Sequence, residues 1–470
     1  MSGKITSVAR PVGQAVKTSP SHGENMGSIP VRVSRKAPKF DRILALFSSK
    51  NLDDEKRNAM SICRKNAIVG QSGGPTSAIN ATLAGVIKAS IESDFISTLY
   101  GAFNGVEGML SEKVCNLTEI FDNDEKIDLL CQTPAAALGS CRVKLKGADT
   151  EKGREAYEKL FDFFKRYDIG YFFYIGGNDS MDTVSKLSAY AEENGIDGIH
   201  FIGVPKTIDN DLEGTDHTPG FGSAAKYIAT SMLEILRDTA VYTVKAVTIV
   251  EIMGRDAGWL TAAAALPRLF CGVAPDLCYL PEVPFNLDEF YSSLEKAFEK
   301  HPNVVVAVSE GVKYENGVYV GEGTQSGSVD AFGHKYLQGT AKALEILVKE
   351  KFGCKTRSVE LNLPQRCAAH IASYSDISES FETGKQAVYN APSSNAVMVC
   401  MVREEPYKIT HTVKKVYDIA NKIKYVPREY ITEDGSNVTD ACLEYLLPMI
   451  EGEWSVKYER GLPVHFVFEK

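Results

Sequence analysis

Long hydrophobic runs are missing from this sequence. No uninterrupted apolar stretch approaches the roughly 18 residues that a transmembrane helix needs. A basic surplus is missing as well, because 52 Lys and Arg stand against 61 Asp and Glu, a formal net charge of −9. A net-acidic chain is not drawn as a whole to nucleic acid or to anionic lipid, although it can still contain a local basic pocket for a small anion. We therefore expect no nucleic-acid partner and no membrane partner.

The cysteine and histidine spacings that are typical of disulfide frameworks and zinc sites are also absent. The ten cysteines are widely spread and none forms a C-x-x-C pair, and the eight histidines form no H-x-x-x-H pair. In a chain of this size, dispersed cysteines are typical of buried thiols inside the cell rather than of a disulfide framework. The pattern does not indicate structural zinc.

The first 64 residues differ in composition from the rest. Residues 1–40 contain seven Lys or Arg, one acid, six Ser and four Pro, without the apolar core of a secretory signal peptide. A basic, Ser-rich segment also fits an organelle transit peptide, but the prolines would interrupt its amphipathic helix. We expect residues 1–64 to be a flexible N-terminal extension of a cytoplasmic protein.

From residue 66 onwards, short apolar runs alternate with helical stretches. The runs at 67–69, 171–175, 200–204, 246–252 and 304–308 are each followed by a turn with glycine, proline or acidic residues. Such alternation is typical of parallel sheets that are covered on both faces. Because length suggests two or three domains, we expect an α/β protein with two doubly wound, Rossmann-like domains. Ligands bind at the carboxyl ends of strands in such sheets, where these turns fall.

Three of these turns carry residues suited to phosphate chemistry. Residues 70–76 (G-Q-S-G-G-P-T) let backbone N–H groups approach a phosphate, although glycine turns also join strands to helices for structural reasons alone, and the P-loop lysine is missing. Residues 176–180 (G-G-N-D-S) place an acid where it would also simply stabilise a helix N-terminus. Residues 205–211 (P-K-T-I-D-N-D) combine a lysine, which can neutralise a transferring phosphoryl group, with carboxylates that can take a proton from a hydroxyl nucleophile.

Taken together and in this order, the three turns resemble the phosphofructokinase family. The resemblance continues through residues 218–224, 253–258, 309–311 and 365–367, and it spans about residues 66–400. It implies an active site in the cleft between two domains. Residues 65–221 with about 366–405 would bind the phosphoryl donor, and residues 222–365 with about 406–470 would bind fructose 6-phosphate.

The resemblance also implies roles for individual residues. Asp209 would accept the proton of the sugar C1 hydroxyl, and Lys206 and Asp179 would assist the transfer. The donor site would comprise Gly73, Arg142, Asp179 and Lys206, and the expected metal, Mg²⁺, would be bound by Asn178 and Asp179. The sugar-phosphate site would comprise Thr207, Ile208, Asp209, Asp211, Met253, Gly254, Arg255, Glu310, Arg357, Leu363 and Arg366. In this family a neighbouring subunit usually completes the sugar-phosphate site, so a homodimer or homotetramer is implied.

Two positions indicate the donor. ATP users of the family typically read G-G-D-G-S and P-G-T-I-D-N-D, whereas this chain has Asp179 and Lys206 where those enzymes have glycine. That resembles the pyrophosphate-dependent class. A carboxylate about 4 Å from the α-phosphate of a nucleotide would cost roughly 4 kcal/mol at an effective dielectric constant near 20. Because some ATP users also carry the lysine, the distinction depends mainly on Asp179.

Three positions depart from the family pattern. Asn178 stands where a metal-binding Asp is usual, so Asp179 is expected to share or take over the metal contact. Leu363 stands where Tyr or His is often found, which would remove one sugar-phosphate hydrogen bond. Ala246 stands where many members place an arginine from a neighbouring subunit, so Lys245 or another cation would have to substitute.

The expected reaction is reversible transfer of a phosphoryl group from pyrophosphate to fructose 6-phosphate, giving fructose 1,6-bisphosphate and phosphate. Three alternatives stay open. The first is an ATP-dependent phosphofructokinase. The second is a catalytically silent regulatory subunit, but the intact set of catalytic residues argues against it. The third is a dinucleotide-dependent oxidoreductase, but the glycines of 70–76 do not match the G-x-G-x-x-G spacing that such an enzyme needs. A wider acceptor range that includes sedoheptulose 7-phosphate is a further hypothesis.

Overall fold

The computed structural model describes residues 64–141, 143–322 and 339–468. The expectations for the N-terminal extension, apart from Arg64, and for Arg142 lie outside the described residues. The strands are β1 (Lys65–Gln71), β2 (Ile96–Ala102), β3 (Val114–Asn116), β4 (Ile169–Gly176), β5 (His200–Pro205), β6 (Ala246–Ile252), β7 (Leu277–Tyr279), β8 (Asn303–Ser309), β9 (Lys355–Glu360), β10 (Val397–Glu404), β11 (Lys408–Lys415), β12 (Tyr458–Glu459) and β13 (Leu462–Pro463).

Helices follow most of the strands, as the alternating sequence pattern predicts. They are α1 (Ile79–Glu92), α2 (Val106–Leu110), α3 (Leu117–Ile120), α4 (Asp124–Cys131), α5 (Glu151–Arg166), α6 (Asn178–Glu193), α7 (Phe221–Thr239), α8 (Trp259–Ala263), α9 (Pro267–Cys271), α10 (Leu287–Lys300), α11 (Thr340–Phe352), α12 (Pro364–Cys367), α13 (Tyr374–Asn390) and α14 (Asp440–Leu446). No helix in the described part of the chain has the length and apolar character needed to cross a membrane.

The first sheet has seven strands in the order β11–β10–β5–β4–β1–β2–β3. The five inner strands are parallel, and an antiparallel strand lies at each edge. Alternate residues of β1 belong to different cores, because Ala67 and Val69 pack with α1 whereas Ile68 packs with α5 on the opposite face. A strand that is buried on both faces must be apolar at every position, which is why this run does not alternate with polar residues.

The second sheet has four parallel strands in the order β7–β8–β6–β9. One face packs against α7 and α8, and the other packs against α10 and α11. Both sheets are therefore covered on both sides, and the expected α/β fold with doubly wound parallel sheets is confirmed. The first sheet continues past residue 405, because β11 pairs with β10. The expected domain boundaries stay a prediction.

Close helix packing behind the first sheet depends on glycine. Helices α1 and α13 cross at Gly85 and Gly384. A Cβ atom on Gly85 would lie 1.9 Å from the carbonyl oxygen of Phe381, and one on Gly384 would lie 2.1 Å from the carbonyl oxygen of Thr82. The two backbones approach closely only because both positions lack a side chain.

Candidate active site

A cleft of about 650 Å³ lies at the carboxyl ends of both sheets. Most of its lining residues directly follow β1, β4 and β5 of the first sheet and β6, β8 and β9 of the second. This is the position at which parallel sheets of this kind bind ligands. The predicted site residues that line it are Gly73, Asn178, Asp179, Lys206, Thr207, Ile208, Asp209, Asp211, Met253, Arg255, Glu310, Leu363 and Arg366.

The glycine-rich turn after β1 forms one wall. Gly73 has φ +78°, and a Cβ atom there would lie 3.1 Å from Lys206 Nζ. Gly73 N donates to the carbonyl oxygen of Cys141 at 3.1 Å, which fixes the turn to the segment that precedes residue 142. Thr76 Oγ1 accepts a hydrogen bond from Ile79 N at 2.9 Å at the start of α1. The turn therefore lies at the surface of the cleft, and the N–H group of Gly73 is already bonded within the protein.

Lys206 joins this turn to the loop that follows β5. Its side chain is 3% exposed, and Nζ donates to the carbonyl oxygen of Gly74 at 2.7 Å. In the same loop Thr207 Oγ1 accepts from Asp209 N at 3.1 Å, and Thr218 Oγ1 donates to the carbonyl oxygen of Thr207 at 2.7 Å. These contacts hold a cation between the glycine-rich turn and the carboxylates of the loop.

Three carboxyl groups converge in the cleft. Burial raises the pKa of Asp209, while the positive charges of Lys206 and Arg255 act in the opposite direction. Burial, and then repulsion by Asp209, raise the pKa of Asp211 to about 7 and that of Glu310 to about 8. Burial therefore increases the proton affinity of Asp209 and the two cations limit that increase, which suits a group that accepts a proton.

The second sheet supplies the opposite wall. Met253 N donates to Gln365 Oε1 at 3.1 Å, and Gly254 N donates to Glu310 Oε1 at 3.4 Å. Gly254 does not line the cleft itself. It has φ +139°, and a Cβ atom there would lie 2.6 Å from the carbonyl oxygen of Ala257, so it permits the tight turn that places Arg255 at the surface of the cleft.

The far end of the cleft is formed by the first turn of α6. Asp179 Oδ1 lies 3.2 Å from the Nζ atom of Lys144, and both side chains are partly exposed. Sequence reasoning missed Lys144, although its position two residues after Arg142 was an available signal. The pair places one negative and one positive charge side by side at the end of the cleft.

Asn178 has one oxygen that is suited to a metal ion. Its Nδ2 donates to the carbonyl oxygen of Lys422 at 2.8 Å, while its buried Oδ1 has no hydrogen-bond partner among the described residues. The adjacent Asp179 adds a carboxylate. No group of three His, Cys, Asp or Glu side chains that could hold a metal occurs in the described ranges. The residues therefore fit a hard divalent ion that takes its remaining ligands from a phosphorylated substrate and water.

The geometry agrees with what comparison with known proteins finds. The Phosphofructokinase family model matches residues 66–389. This chain belongs to the phosphofructokinase family.

Relatives in the family are similar over most of their length. A protein of Halomonas elongata named pyrophosphate–fructose 6-phosphate 1-phosphotransferase is 42% identical over 410 residues, which cover 86% of this chain and 96% of that protein. A protein of the same name from Methylococcus capsulatus is 40% identical, over 85% of this chain and 94% of its own. The crystal structure of a pyrophosphate-dependent phosphofructokinase from Nitrosospira multiformis superimposes with a TM-score of 0.77 at 39% identity, covering 86% of this chain and 96% of that one. The expected relationship to pyrophosphate-dependent members of the phosphofructokinase family is confirmed.

One predicted site residue of this chain lies away from the cleft. Arg357 is on β9 with its side chain half exposed, and its NH1 atom is 3.9 Å from Asp238 Oδ2. It borders a small surface cavity together with Ala246. Lys245, the suggested substitute cation, has its ammonium 4.0 Å from the ring centre of Phe298. Within one chain, Arg357 does not contact the space in which the other site residues meet.

Sequence reasoning also missed a part of the cleft wall. Asn421 and Ile423 line the cleft, although they lie far along the chain from every motif that resembles the phosphofructokinase family. Asn362, next to Leu363, is a third lining residue that no motif indicated. Only residue 362 had a signal in the sequence, because it adjoins a predicted site residue.

Proposed function

We propose that this chain catalyses the reversible, Mg²⁺-dependent transfer of a phosphoryl group from pyrophosphate to the C1 hydroxyl of D-fructose 6-phosphate. The observation that carries the proposal is that Asp209, Lys206 and Asp179 share one cleft with the sugar-side residues Arg255 and Glu310. The names of the relatives from Halomonas elongata and Methylococcus capsulatus support the same pair of substrates.

The acceptor half of the mechanism follows from Asp209. A carboxylate with a raised pKa takes the proton of the C1 hydroxyl more readily as the oxygen attacks phosphorus. Arg255 and Glu310, which line the same wall, would hold the sugar, and the guanidinium of Arg366 would bind its phosphate through paired N–H donors. These contacts would place the hydroxyl oxygen next to the base.

The donor half follows from Lys206 and the turn at Gly73. The ammonium, already fixed to the carbonyl oxygen of Gly74, would neutralise charge on the oxygens of the transferring group. Mg²⁺ would be held by Asn178 Oδ1 and the Asp179 carboxylate, and it would neutralise charge on the phosphoryl donor. Phosphotransferases of this family generally use a divalent metal. The backbone at Gly73 would contact the pyrophosphate directly.

We further propose a homodimer or homotetramer in the cytoplasm, where sugar phosphates occur. Arg357 lies outside the cleft of its own chain, close to the exposed side chains of Tyr242 and Val244. A neighbouring subunit seated on this surface would bring Arg357 to its own sugar-phosphate site. Light scattering coupled to size exclusion should therefore give a mass of two or four chains, and a monomer that is fully active would contradict the arrangement.

The test of the proposed function is the initial rate of fructose 1,6-bisphosphate formation with pyrophosphate or ATP at matched free Mg²⁺. With pyrophosphate we expect turnover in which one phosphate is released for each fructose 1,6-bisphosphate formed. With ATP we expect no turnover. Turnover with ATP alone would favour an ATP-dependent phosphofructokinase. Absence of product with either donor would favour a silent regulatory subunit. The same assay with sedoheptulose 7-phosphate gives the kcat/KM ratio that decides the acceptor range.

A further inference from the structure

The 421–426 segment (N-K-I-K-Y-V) lies beyond residues 66–389 that the family model matches, yet it forms part of the cleft wall. Ile423 pairs with Leu212 in an isolated antiparallel bridge beside the loop that carries the catalytic carboxylates. The segment therefore enters the site from a part of the chain in which the resemblance names no individual site residue.

The first residues of the 421–426 segment contact α6, which carries Asn178 and Asp179 and which we call the donor helix. The carbonyl oxygen of Lys422 accepts from Asn178 Nδ2 at 2.8 Å. Asn421 Nδ2 donates to Asp182 Oδ1 at 3.2 Å, one turn further along α6. Two contacts on successive turns fix the position of the helix end that presents Asp179 to the donor.

Lys424 contacts the loop that follows β5, residues 206–216, which we call the acceptor loop. Its backbone N donates to the carbonyl oxygen of Asp211 at 2.9 Å. Its ammonium donates to Asn210 Oδ1 at 3.1 Å and to the carbonyl oxygens of Thr215 at 3.3 Å and Asp216 at 2.5 Å. An ammonium has three N–H donors, and here each one has an oxygen acceptor. The two ends of the loop that follows Asp209 are thereby joined by one side chain.

The same residues reach the sugar side. The carbonyl oxygen of Lys424 accepts from Trp259 Nε1 at 3.0 Å, at the start of α8. Val426 N donates to Glu282 Oε1 at 2.9 Å, and that oxygen also accepts from Gly258 N at 2.8 Å. Gly258 and Trp259 directly follow the turn that carries Arg255.

We infer that the 421–426 segment is part of the catalytic machinery, in which it sets the spacing between the donor helix, the acceptor loop and the sugar side, and that Lys424 is the positioning residue for Asp209 and Asp211. The inference rests on the proposed phosphoryl transfer. In that reaction the protein contributes mainly alignment and charge, so small displacements of the donor relative to the attacking hydroxyl matter greatly. A segment that contacts all three parts is suited to fix that alignment.

The test is Lys424→Met in the full-length protein, with Lys408→Met on the exposed strand β11 as the matched control. Removing the ammonium frees the loop that carries Asp209 but removes no atom that contacts a substrate, so we expect kcat with pyrophosphate to fall by about 10- to 100-fold. The KM values for pyrophosphate and fructose 6-phosphate should change by less than about threefold. The control variant should retain the wild-type kcat. Thermal unfolding of both variants shows whether they fold.

Trp259→Phe provides a second route if Lys424→Met does not fold. It keeps an aromatic ring in the core but removes the N–H that donates to the carbonyl oxygen of Lys424, together with part of the indole. We expect kcat to fall by about 3- to 10-fold at unchanged KM. A wild-type kcat in a folded Lys424→Met protein overturns the inference. A rise in KM without a fall in kcat overturns it as well. The same two outcomes in Trp259→Phe have the same meaning. Failure of the wild type to use pyrophosphate instead overturns the proposed function, and the inference with it.

Discussion

Replacing Asp179 by Asn and by Gly separates the two ways in which this side chain can exclude ATP. Asn keeps the volume and removes the charge, whereas Gly removes both. The charge of an isolated carboxylate about 4 Å from the α-phosphate would cost roughly 4 kcal/mol, or about a thousandfold in affinity. The structure lowers this figure, because Lys144 Nζ lies 3.2 Å from Asp179 Oδ1.

An anion that approaches the pair meets a positive and a negative charge together. Because both side chains are partly exposed, solvent screens them further, as in other surface ion pairs. We therefore expect a charge effect on the order of 1–2 kcal/mol, about 5- to 30-fold in KM for ATP. The rest of the exclusion must come from the volume of the side chain.

The assay is kcat/KM for ATP and for pyrophosphate in both variants. We expect Asp179→Asn to raise kcat/KM for ATP by about tenfold and Asp179→Gly to raise it by at least about tenfold more. Lys144→Met should raise KM for pyrophosphate by about 10-fold, because it leaves the carboxylate unpaired, while Lys146→Met, an exposed neighbour, serves as the control. Equal gains from Asn and Gly would refute the role of volume, and no gain from either would refute the role of Asp179.

Three further predictions concern the base, a buried ion network and helix packing. Asp209→Asn should lower kcat by about 10²- to 10⁴-fold while calorimetry shows retained fructose 6-phosphate affinity; wild-type turnover would reject it as the base. Burial alone lowers the pKa of His217, but hydrogen bonds at 2.8 Å to Asp216 and Glu379 outweigh this and raise it to about 9. The protonated His217 therefore stabilises the folded protein fully below about pH 6.5, and this stabilisation is lost as the pH rises through about 9. The difference in unfolding free energy between the wild type and His217→Gln should shrink over that range. A difference that does not change with pH would contradict this. Gly85→Ala should lower the free energy of unfolding, measured with urea, by about 1–3 kcal/mol, because the added Cβ atom would overlap a carbonyl oxygen of α13. An unchanged urea midpoint of unfolding would show that the two helices can move apart at no cost.

The parts of the site that were predictable belong to short stretches of sequence. Thr207, Asp209 and Asp211 lie in one loop, so their proximity follows from the chain itself. That this loop meets Gly73 and Asp179 was also predictable, because the carboxyl ends of parallel strands lie on one edge of a sheet. The order of the motifs then indicated the family. These inferences needed local geometry and one topological rule.

Arg357 shows where this reasoning ends. The resemblance placed it with the sugar phosphate, but it did not say whether Arg357 serves the site of its own chain or that of a neighbouring subunit. Strand β9 directs Arg357 to the outer surface beside Asp238, away from the cleft of its own chain. Only the direction of the strand and the packing of its neighbours decide this, and neither is written in the motif.

By itself the sequence determined the α/β class, the family and the chemical groups at the strand ends, because the apolar periodicity and the motif residues act over a few positions along the chain. The tertiary structure alone decided which charges neutralise one another and which distant segment completes the site. Lys144 meets Asp179 and Lys424 meets Asn210 through contacts that span about 35 and 214 residues. Such contacts depend on the relative placement of whole sheets and helices, which is set by the packing of the cores rather than by any local pattern.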